Sequence, residues 1–264
     1  MILQSLYSGS GGNCILIKHK DTMVFIDAGV TGRKITSALS DYGHDPSLLD
    51  AILITHEHDD HISGAGVYLR KTGSKIYANE KTYCAIEPKL GKIPLSKIKT
   101  FDNGKPFVIK DLEIYPFHTS HDAVDSVGFR ISDGVKSVAI ATDLGVVDNE
   151  VIAQLVKCDA VLIEANHDVD MLLGGPYPEH LKRRILGEKG HLSNSDCALC
   201  CENLINNKVE RIMLGHMSAQ NNKPLVALNT VSDMLGKKGI VRNKDYVLTI
   251  AMRDRPSEII SLEG

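Results

Sequence analysis

"THEHDDHISG", Thr55 to Gly64, follows the apolar run Ala51-Ile52-Leu53-Ile54 and packs His56, His58, Asp60 and His61 into six positions. The run before it is short, apolar and partly β-branched, which reads as a buried strand. Side chains of an extended chain alternate with period two, so His56 and His58 point the same way. Asp60 and His61, past a bend, then face a neighbouring point. Two adjacent half-sites of this kind are what a two-metal centre requires. A helix would scatter the four side chains around its circumference, which excludes a helical His-Glu-x-x-His type of site. The competing reading is a polar loop that happens to hold three histidines; their density, directly after a strand, argues against it.

Outward from this stretch, other strand ends carry residues of the same chemistry. "VFIDAG" (Val24 to Gly29) and "AIATDLG" (Ala139 to Gly145) each run an apolar strand into Asp-x-Gly. "AILITH" (Ala51 to His56) and "RIMLGH" (Arg211 to His216) each run one into histidine. This echo predicts two similar βαβ-type halves, packed face to face and sharing one site at a sheet rim. His121 in "FHTSHDA" follows a strand expected at Leu112–Phe117, Asp143 follows Ser137–Ala141, and His216 follows Arg211–Leu214. Asp143 is the natural bridge, since a carboxylate has two oxygens to give to two cations. His118 stands three residues before His121, so the two face opposite sides of a strand and only one reaches the metals.

Composition sets the frame. The chain has 264 residues, 43% hydrophobic and 24% charged, as in ordinary soluble globular proteins. A net charge of −3 argues against a wholesale basic coat, though not against a local basic groove. No secretory leader and no apolar stretch long enough to span a bilayer is visible, and a cytoplasmic, membrane-free protein is expected. No Pro-, Ser- or Gly-rich linker divides the chain, so residues 1–264 are expected to form one domain. Helices are expected at Arg33–Tyr42, Ser63–Lys71, Pro178–Glu188, Ser195–Asn206 and Pro224–Gly236. "CALCC" invites a zinc or redox reading, but no second cysteine pair exists, and Cys197, Cys200 and Cys201 share one helix face with Leu204. Core packing is the expectation there.

The order of these residues — an early Asp, then His-x-His-x-Asp-His, then separate His, Asp and His — resembles the metallo-β-lactamase superfamily over essentially the whole chain. The resemblance implies an αββα sandwich of the α+β or α/β class, made of two pseudo-related halves with the metals at one edge. It implies that His56, His58, His121 and Asp143 hold one divalent ion. Asp60, His61, Asp143 and His216 would hold the other, and Asp27 would support the site from behind. The family pattern favours His121 over His118. Zinc, manganese and iron all suit such nitrogen and oxygen ligands.

Three features bear on the branch. Asp60 and His61 serve the second metal, with no cysteine in the Asp143 role, unlike the β-lactamases proper. "GHLSN" (Gly190 to Asn194) precedes "LGHMS" (Leu214 to Ser218), a pairing similar to the phosphodiesterase members such as ribonuclease Z, where the earlier histidine donates a proton. "LIEANHD" places Glu164 where those enzymes carry a carboxylate that orients the donor. The resemblance thus sets Asp60, His191 and Glu164 among the catalytic residues, with His191 protonating the leaving oxygen and a metal-bridging hydroxide as nucleophile. The alternative for His191 is a capping residue at a helix start. The stretches "SGSGGNC", "FIDAG", "THEHDDHISG", "SHDA", "ATDLG", "EANHDVDML", "GPYPEHLKRRILGEKGHLSN" and "LGHMSAQNN" look like the YycJ/WalJ-type metallo-hydrolases. That implies exonuclease activity toward DNA; protein partners are not indicated. The spacing from His121 to Asp143 is too short for the tRNA-gripping arm of ribonuclease Z. From Asp143 to His216 it is too short for an inserted β-CASP domain.

Three further expectations concern substrate. "SGSGGN" (Ser8 to Asn13) reads as a strand–turn–strand glycine loop, not a dinucleotide fingerprint, and its amides with Ser10 and Asn13 are candidates to meet a phosphate. His167 is a candidate substrate contact or a structural hydrogen-bonding residue. Lys89, Lys92, Lys97, Lys99, Lys105 and Lys110 crowd one stretch against the single acid Asp102, a candidate grip on a phosphate backbone as well as an ordinary solvated face. Thioester hydrolysis of the glyoxalase II kind uses the same ligands without needing His191 and Glu164. A non-catalytic nucleic-acid binder on the same fold would be expected to lack a ligand, and none is missing.

Overall fold

The computed structural model describes residues 1–262. One sheet contains β1 (Ile2–Tyr7), β2 (Cys14–His19), β3 (Thr22–Ile26), β4 (Ala51–Leu53), β5 (Lys75–Asn79) and β6 (Ile98–Phe101). The other contains β7 (Phe107–Ile109), β8 (Leu112–His118), β9 (Val127–Ser132), β10 (Ser137–Ala141), β11 (Ala160–Glu164), β12 (Arg211–Gly215) and β13 (Val247–Ile250). The short C-terminal β14 (Ile260–Ser261) returns to pair with β1, and the orders are β14-β1-β2-β3-β4-β5-β6 and β13-β12-β11-β10-β9-β8-β7. In each sheet an antiparallel meander gives way to parallel strands: β3 to β6 in the first, β10 to β13 in the second. The repeated "strand into Asp" motif marks that changeover in both, at β3 and at β10. The two halves are therefore related as the echo predicts.

Period-two alternation explains the layers. Val24 and Ile26 of β3 point into the space between the sheets with Ile140 of β10 and Leu162 of β11. Phe25 points outward instead, onto a cluster with Ile35, Leu39, Tyr68 and Leu69. Those four belong to helices α1 (Gly32–Asp41) and α3 (Ala65–Lys71), which cover the first sheet with α4 (Glu80–Leu90); the short α2 (Asp59–Ile62) lies between α1 and α3 in the chain. On the second sheet Val161 and Ile163 point outward to α5 (Asn149–Leu155), α8 (Asn194–Asn206) and α9 (Pro224–Gly236). The result is an αββα sandwich. The central strands of both sheets are buried on both faces, which is why they read as nearly unbroken apolar runs. Truncating a central residue such as Leu162 would cost about 2–5 kcal/mol.

Cys197, Cys200 and Cys201 all sit inside this outer core, and all six cysteines are free thiols. Burial pushes the Cys200 thiol well above its ordinary value, so it stays protonated and packs as an apolar group.

Several elements depart from the sequence expectation. Asp60 and His61 do not follow a bend in extended chain; they lie on the single turn of α2, with His58 at its N-cap. The expected helix from Ser63 begins at Ala65. Helix α4 gave no periodic signal because it buries only Thr82, Ile86 and Leu90 and carries Pro88; Asn79 starts it by accepting from Thr82 N. Helices α5 and α6 (Val169–Gly174) are short and were likewise unmarked, though Asp148 and Asp168 cap them. Strand β6 is an edge strand with two exposed central residues, too weakly apolar to show.

Candidate metal centre

Three residues that end strands hold left-handed backbone: Asp27 (φ 62°), Asp143 (φ 59°) and His216 (φ 52°). Asp and His tolerate this region better than most residues, yet each costs about 1–3 kcal/mol and is kept only where surrounding structure demands it. The turn throws each side chain sideways off its strand toward the rim between the sheets.

The ligand loop is clamped from behind by two backbone turns. Ala28 N donates to His61 O at 2.8 Å, and Asn13 N donates to Asp60 O at 2.8 Å. Gly29 has no Cβ for a steric reason: one built there would stand 1.6 Å from Asp60 O. The glycine loop contributes more: Ser8 Oγ accepts from His216 N at 2.8 Å, and Asn13 Oδ1 accepts from Gly9 N at 2.9 Å. Asn13 is buried, and its Nδ2 lies 3.3 Å from Asp60 O and 3.1 Å from His61 Nε2. The Asn13 side chain is thus committed to holding the loop, whereas Ser10 is exposed and lines the cleft.

Within this frame the expected residues meet. His56 Nε2 lies 3.1 Å from His58 Nδ1, which is 3.3 Å from His121 Nε2. His61 Nε2 and His216 Nε2 each stand 3.6 Å from Asp60 Oδ2. Asp143 lies between the groups: Oδ1 is 3.6 Å from His121 Nε2 and 3.5 Å from His216 Nε2, and Oδ2 is 3.2 Å from His61 Nε2. His118 is the exposed last residue of β8, and His121 lies beyond the strand's end, so the two do not alternate on one strand as expected; only His121 joins the cluster.

In His56, His61, His121 and His216 the opposite ring nitrogen is engaged by the scaffold, which selects the one facing inward. His61 Nδ1 lies 2.7 Å from Asp27 Oδ2, and the same oxygen accepts from Thr55 Oγ1 at 2.8 Å. His56 Nδ1 is 3.0 Å from Thr55 Oγ1, and His121 Nδ1 is 3.2 Å from Gly190 O. Glu164 Oε1 serves two rings, His191 Nδ1 at 2.7 Å and His216 Nδ1 at 2.9 Å, while its Oε2 accepts from Leu144 N. Asn166 Nδ2 donates to His216 O at 2.9 Å. His167 is buried, and neither ring nitrogen has a hydrogen-bond partner among the described residues.

The electrostatics are those of a site built for cations. Burial resists ionisation of Asp143, but His216 and His61 outweigh it and hold the carboxyl well below the usual range. Glu164, equally buried, is brought down to about 2, chiefly by His191. Burial lowers His216, yet Asp143 and the bonds to Asp60 and Glu164 lift it to about 10. Burial and the neighbouring His61 push His56 well below its ordinary value, leaving a neutral ring with a lone pair to give.

These residues fit divalent metal ions. His56, His58 and His121 converge in one group and Asp60, His61 and His216 in another, each group's ligand atoms lying within 4.8 Å of one another. Asp143 Oδ2 and His216 Nε2 are buried and, although ion-pair neighbours stand 3.2 and 3.5 Å away, neither makes a hydrogen bond of good geometry among the described residues, a cost that a bound cation would offset.

The cluster lines a cleft of about 280 Å³ together with Tyr177, Leu181 and Arg184. The sequence reading assigned no role to those three residues, since α7 (Glu179–Leu186) reads as an ordinary amphipathic helix. A larger cleft of about 730 Å³ lies among Lys18, Lys75, Asp50 and Lys110, and among the described residues no metal-type cluster adjoins it. The lysines of the 89–110 stretch are largely tied down: Lys89 to Asp59, Lys105 to Asp102, Lys110 to Asp50, and Lys97 to the carbonyls of Leu69 and Thr72.

Comparison with known proteins agrees with this geometry. Residues 22–217 match the model of the beta-lactamase superfamily domain. The chain is 42% identical over 243 residues to exodeoxyribonuclease WalJ of Streptococcus pneumoniae, covering 91% of this chain and 90% of that one. It is 36% identical over 234 residues to exodeoxyribonuclease YycJ of Bacillus anthracis, covering 89% of each. Zinc-bound PqqB of Methylobacterium extorquens superposes with a TM-score of 0.75 over 99% of this chain and 100% of that one, at 15% identity, which speaks for the fold alone.

Proposed function

The chain belongs to the beta-lactamase superfamily, and from that membership we propose that it is a metal-dependent nuclease acting on DNA as an exonuclease. Residues 1–264 are taken as one hydrolase domain. His56, His58 and His121 would hold one divalent ion and Asp60, His61 and His216 a second, with Asp143 shared between them. Zinc, manganese and iron remain equivalent candidates. When bound, the ions would neutralise phosphoryl charge and acidify water.

The observation that carries the phosphodiesterase reading is the contact of His191 Nδ1 with Glu164 Oε1 at 2.7 Å, at the edge of the metal cluster. Burial alone would lower His191, but the Glu164 charge and hydrogen bond raise it above its ordinary value. With Nδ1 bound, Nε2 is the nitrogen left to present a proton to the cleft. A phosphodiester expels an alkoxide, for which a placed acid is worth about 10²–10⁴ in rate. A thioester expels a stable thiolate and has no such need. Asp27 and Glu164 orient His61 and His216, Asn13 holds the loop of Asp60 and His61, and Ser10 is positioned to touch substrate. No helix of the described residues is long and apolar enough to cross a membrane, and six free thiols suit the reducing cytoplasm.

The test offers purified protein, with manganese or zinc, labelled DNA, labelled RNA, bis-p-nitrophenyl phosphate and S-lactoylglutathione. Progressive shortening of DNA, abolished by EDTA, is expected. Cleavage of the thioester alone would overturn the proposal.

A further inference from the structure

Arg184 and Tyr177 line the same cleft as the metal-type cluster. Arg184 belongs to α7, and its guanidinium grips Asp122: Nε meets Oδ2, and Nη2 donates to Oδ1 at 2.9 Å. Asp122 follows His121 directly, and its Oδ1 lies 3.4 Å from His121 Nε2. The guanidinium is therefore held at the lip of the site by a half-exposed carboxylate, with its side chain still about half open to solvent. Nη1 has no partner among the described residues. The Asp122 bond, with the Asp143 and Asp60 carboxylates in range, raises Arg184 further, so its positive charge is permanent. Tyr177 is half-buried and lines the same cleft.

The bidentate pair is only about half buried, so stability does not exhaust what a guanidinium fixed beside His121 offers. Guanidinium forks match phosphate as they match carboxylate, and an aromatic face stacks any base regardless of sequence.

Resting on the phosphodiesterase reading above, we infer that Arg184 and Tyr177 form a nucleotide subsite. Arg184 binds the phosphate next to the one being cleaved, pre-aimed by Asp122, and Tyr177 stacks the adjoining base. The preferred substrate is then a polynucleotide strand with a flanking phosphate, rather than any phosphodiester that reaches the metals. Asp122 is a positioning residue in this scheme; it holds the guanidinium where the phosphate arrives.

The test compares two substrates with the manganese-loaded enzyme: a single-stranded oligodeoxynucleotide, and the p-nitrophenyl ester of thymidine 5′-monophosphate, which has a scissile phosphate but no flanking one. For R184Q, KM on the oligonucleotide should rise about tenfold or more with kcat changed much less. The loss in kcat/KM on the nitrophenyl ester should be at least several-fold smaller. The slope of log KM against log salt on the oligonucleotide should fall by about one contact's worth, 0.7. R184K, which keeps the charge without the fork, should recover part of the affinity, and Y177F should bind better than Y177A. Equal losses on both substrates, or an unchanged salt slope in a folded R184Q, would overturn the subsite while leaving the phosphodiesterase standing. If the wild type cleaves neither substrate, the phosphodiesterase reading fails and the subsite fails with it.

Discussion

Asp27 Oδ2 sits 2.7 Å from His61 Nδ1, so the His61 ring turns its Nε2 toward Asp60 and Asp143. The same carboxylate accepts from Thr55 N and Thr55 Oγ1, the residue that opens the ligand loop. One buried acid thus sets both the path of the loop and the orientation of a ring within it.

Replacing it should weaken metal binding without removing a ligand. Asp27→Asn is expected to lower affinity for zinc or manganese about 10–100-fold, the usual effect of losing a carboxylate behind a ligating histidine. Titration calorimetry on metal-stripped protein measures it directly. An affinity equal to wild type would show that Asp27 only builds the turn.

Glu164 should govern the basic limb of the pH–rate profile. It raises His191, so the ring keeps its proton to higher pH, and acid function is lost as pH climbs through that raised value. In Glu164→Gln the lift disappears and the limb should move to lower pH, with kcat reduced at neutral pH. A limb that stays in place while metal content is retained would assign it to another group.

Metal binding should be visible in stability, because buried acids and rings converge there with partners missing. Adding zinc or manganese at a hundredfold excess over Kd should stabilise stripped wild-type protein by about 2.7 kcal/mol for each ion bound, seen as a higher Tm. Asp143→Ala should lose most of that increment. An identical metal-dependent rise in the variant would mean that the ions bind elsewhere.

Gly29→Ala tests the close approach behind the loop. Its Cβ would collide with Asp60 O, a backbone atom that cannot swing aside, at an expected cost of about 3 kcal/mol and with loss of metal affinity. Gly236→Ala is the control: nothing lies within 4 Å, the residue is helical, and a change within about 1 kcal/mol, toward greater stability, is expected. Urea midpoints compare the two, and equal midpoints would contradict the packing described.

Much of this protein was legible in the order of its residues. Strands buried on both faces must be apolar throughout, so Ala51–Leu53, Ala160–Glu164 and Arg211–Gly215 announce themselves, and a ligand-type residue just past each marks the rim. His118 is the exposed last residue of β8, whereas His121 stands past the strand's end, so the strand boundary and not alternation separates them. What failed locally was also local in cause. Helix α4 buries too narrow a stripe to show its period, and Asp60 and His61 form a helical turn because Asn13 and Ala28 hold their backbone from afar.

The chain by itself determined which groups are available and on which strand ends they stand, because burial and alternation are properties of neighbours. Only the folded molecule decided what those groups touch. Glu164 reaches both His191 and His216, Asn13 turns inward to Asp60, and Arg184 meets Asp122 across 62 positions. Such pairings depend on how two sheets and their helices pack, and no short-range pattern in a sequence encodes a distance across that packing.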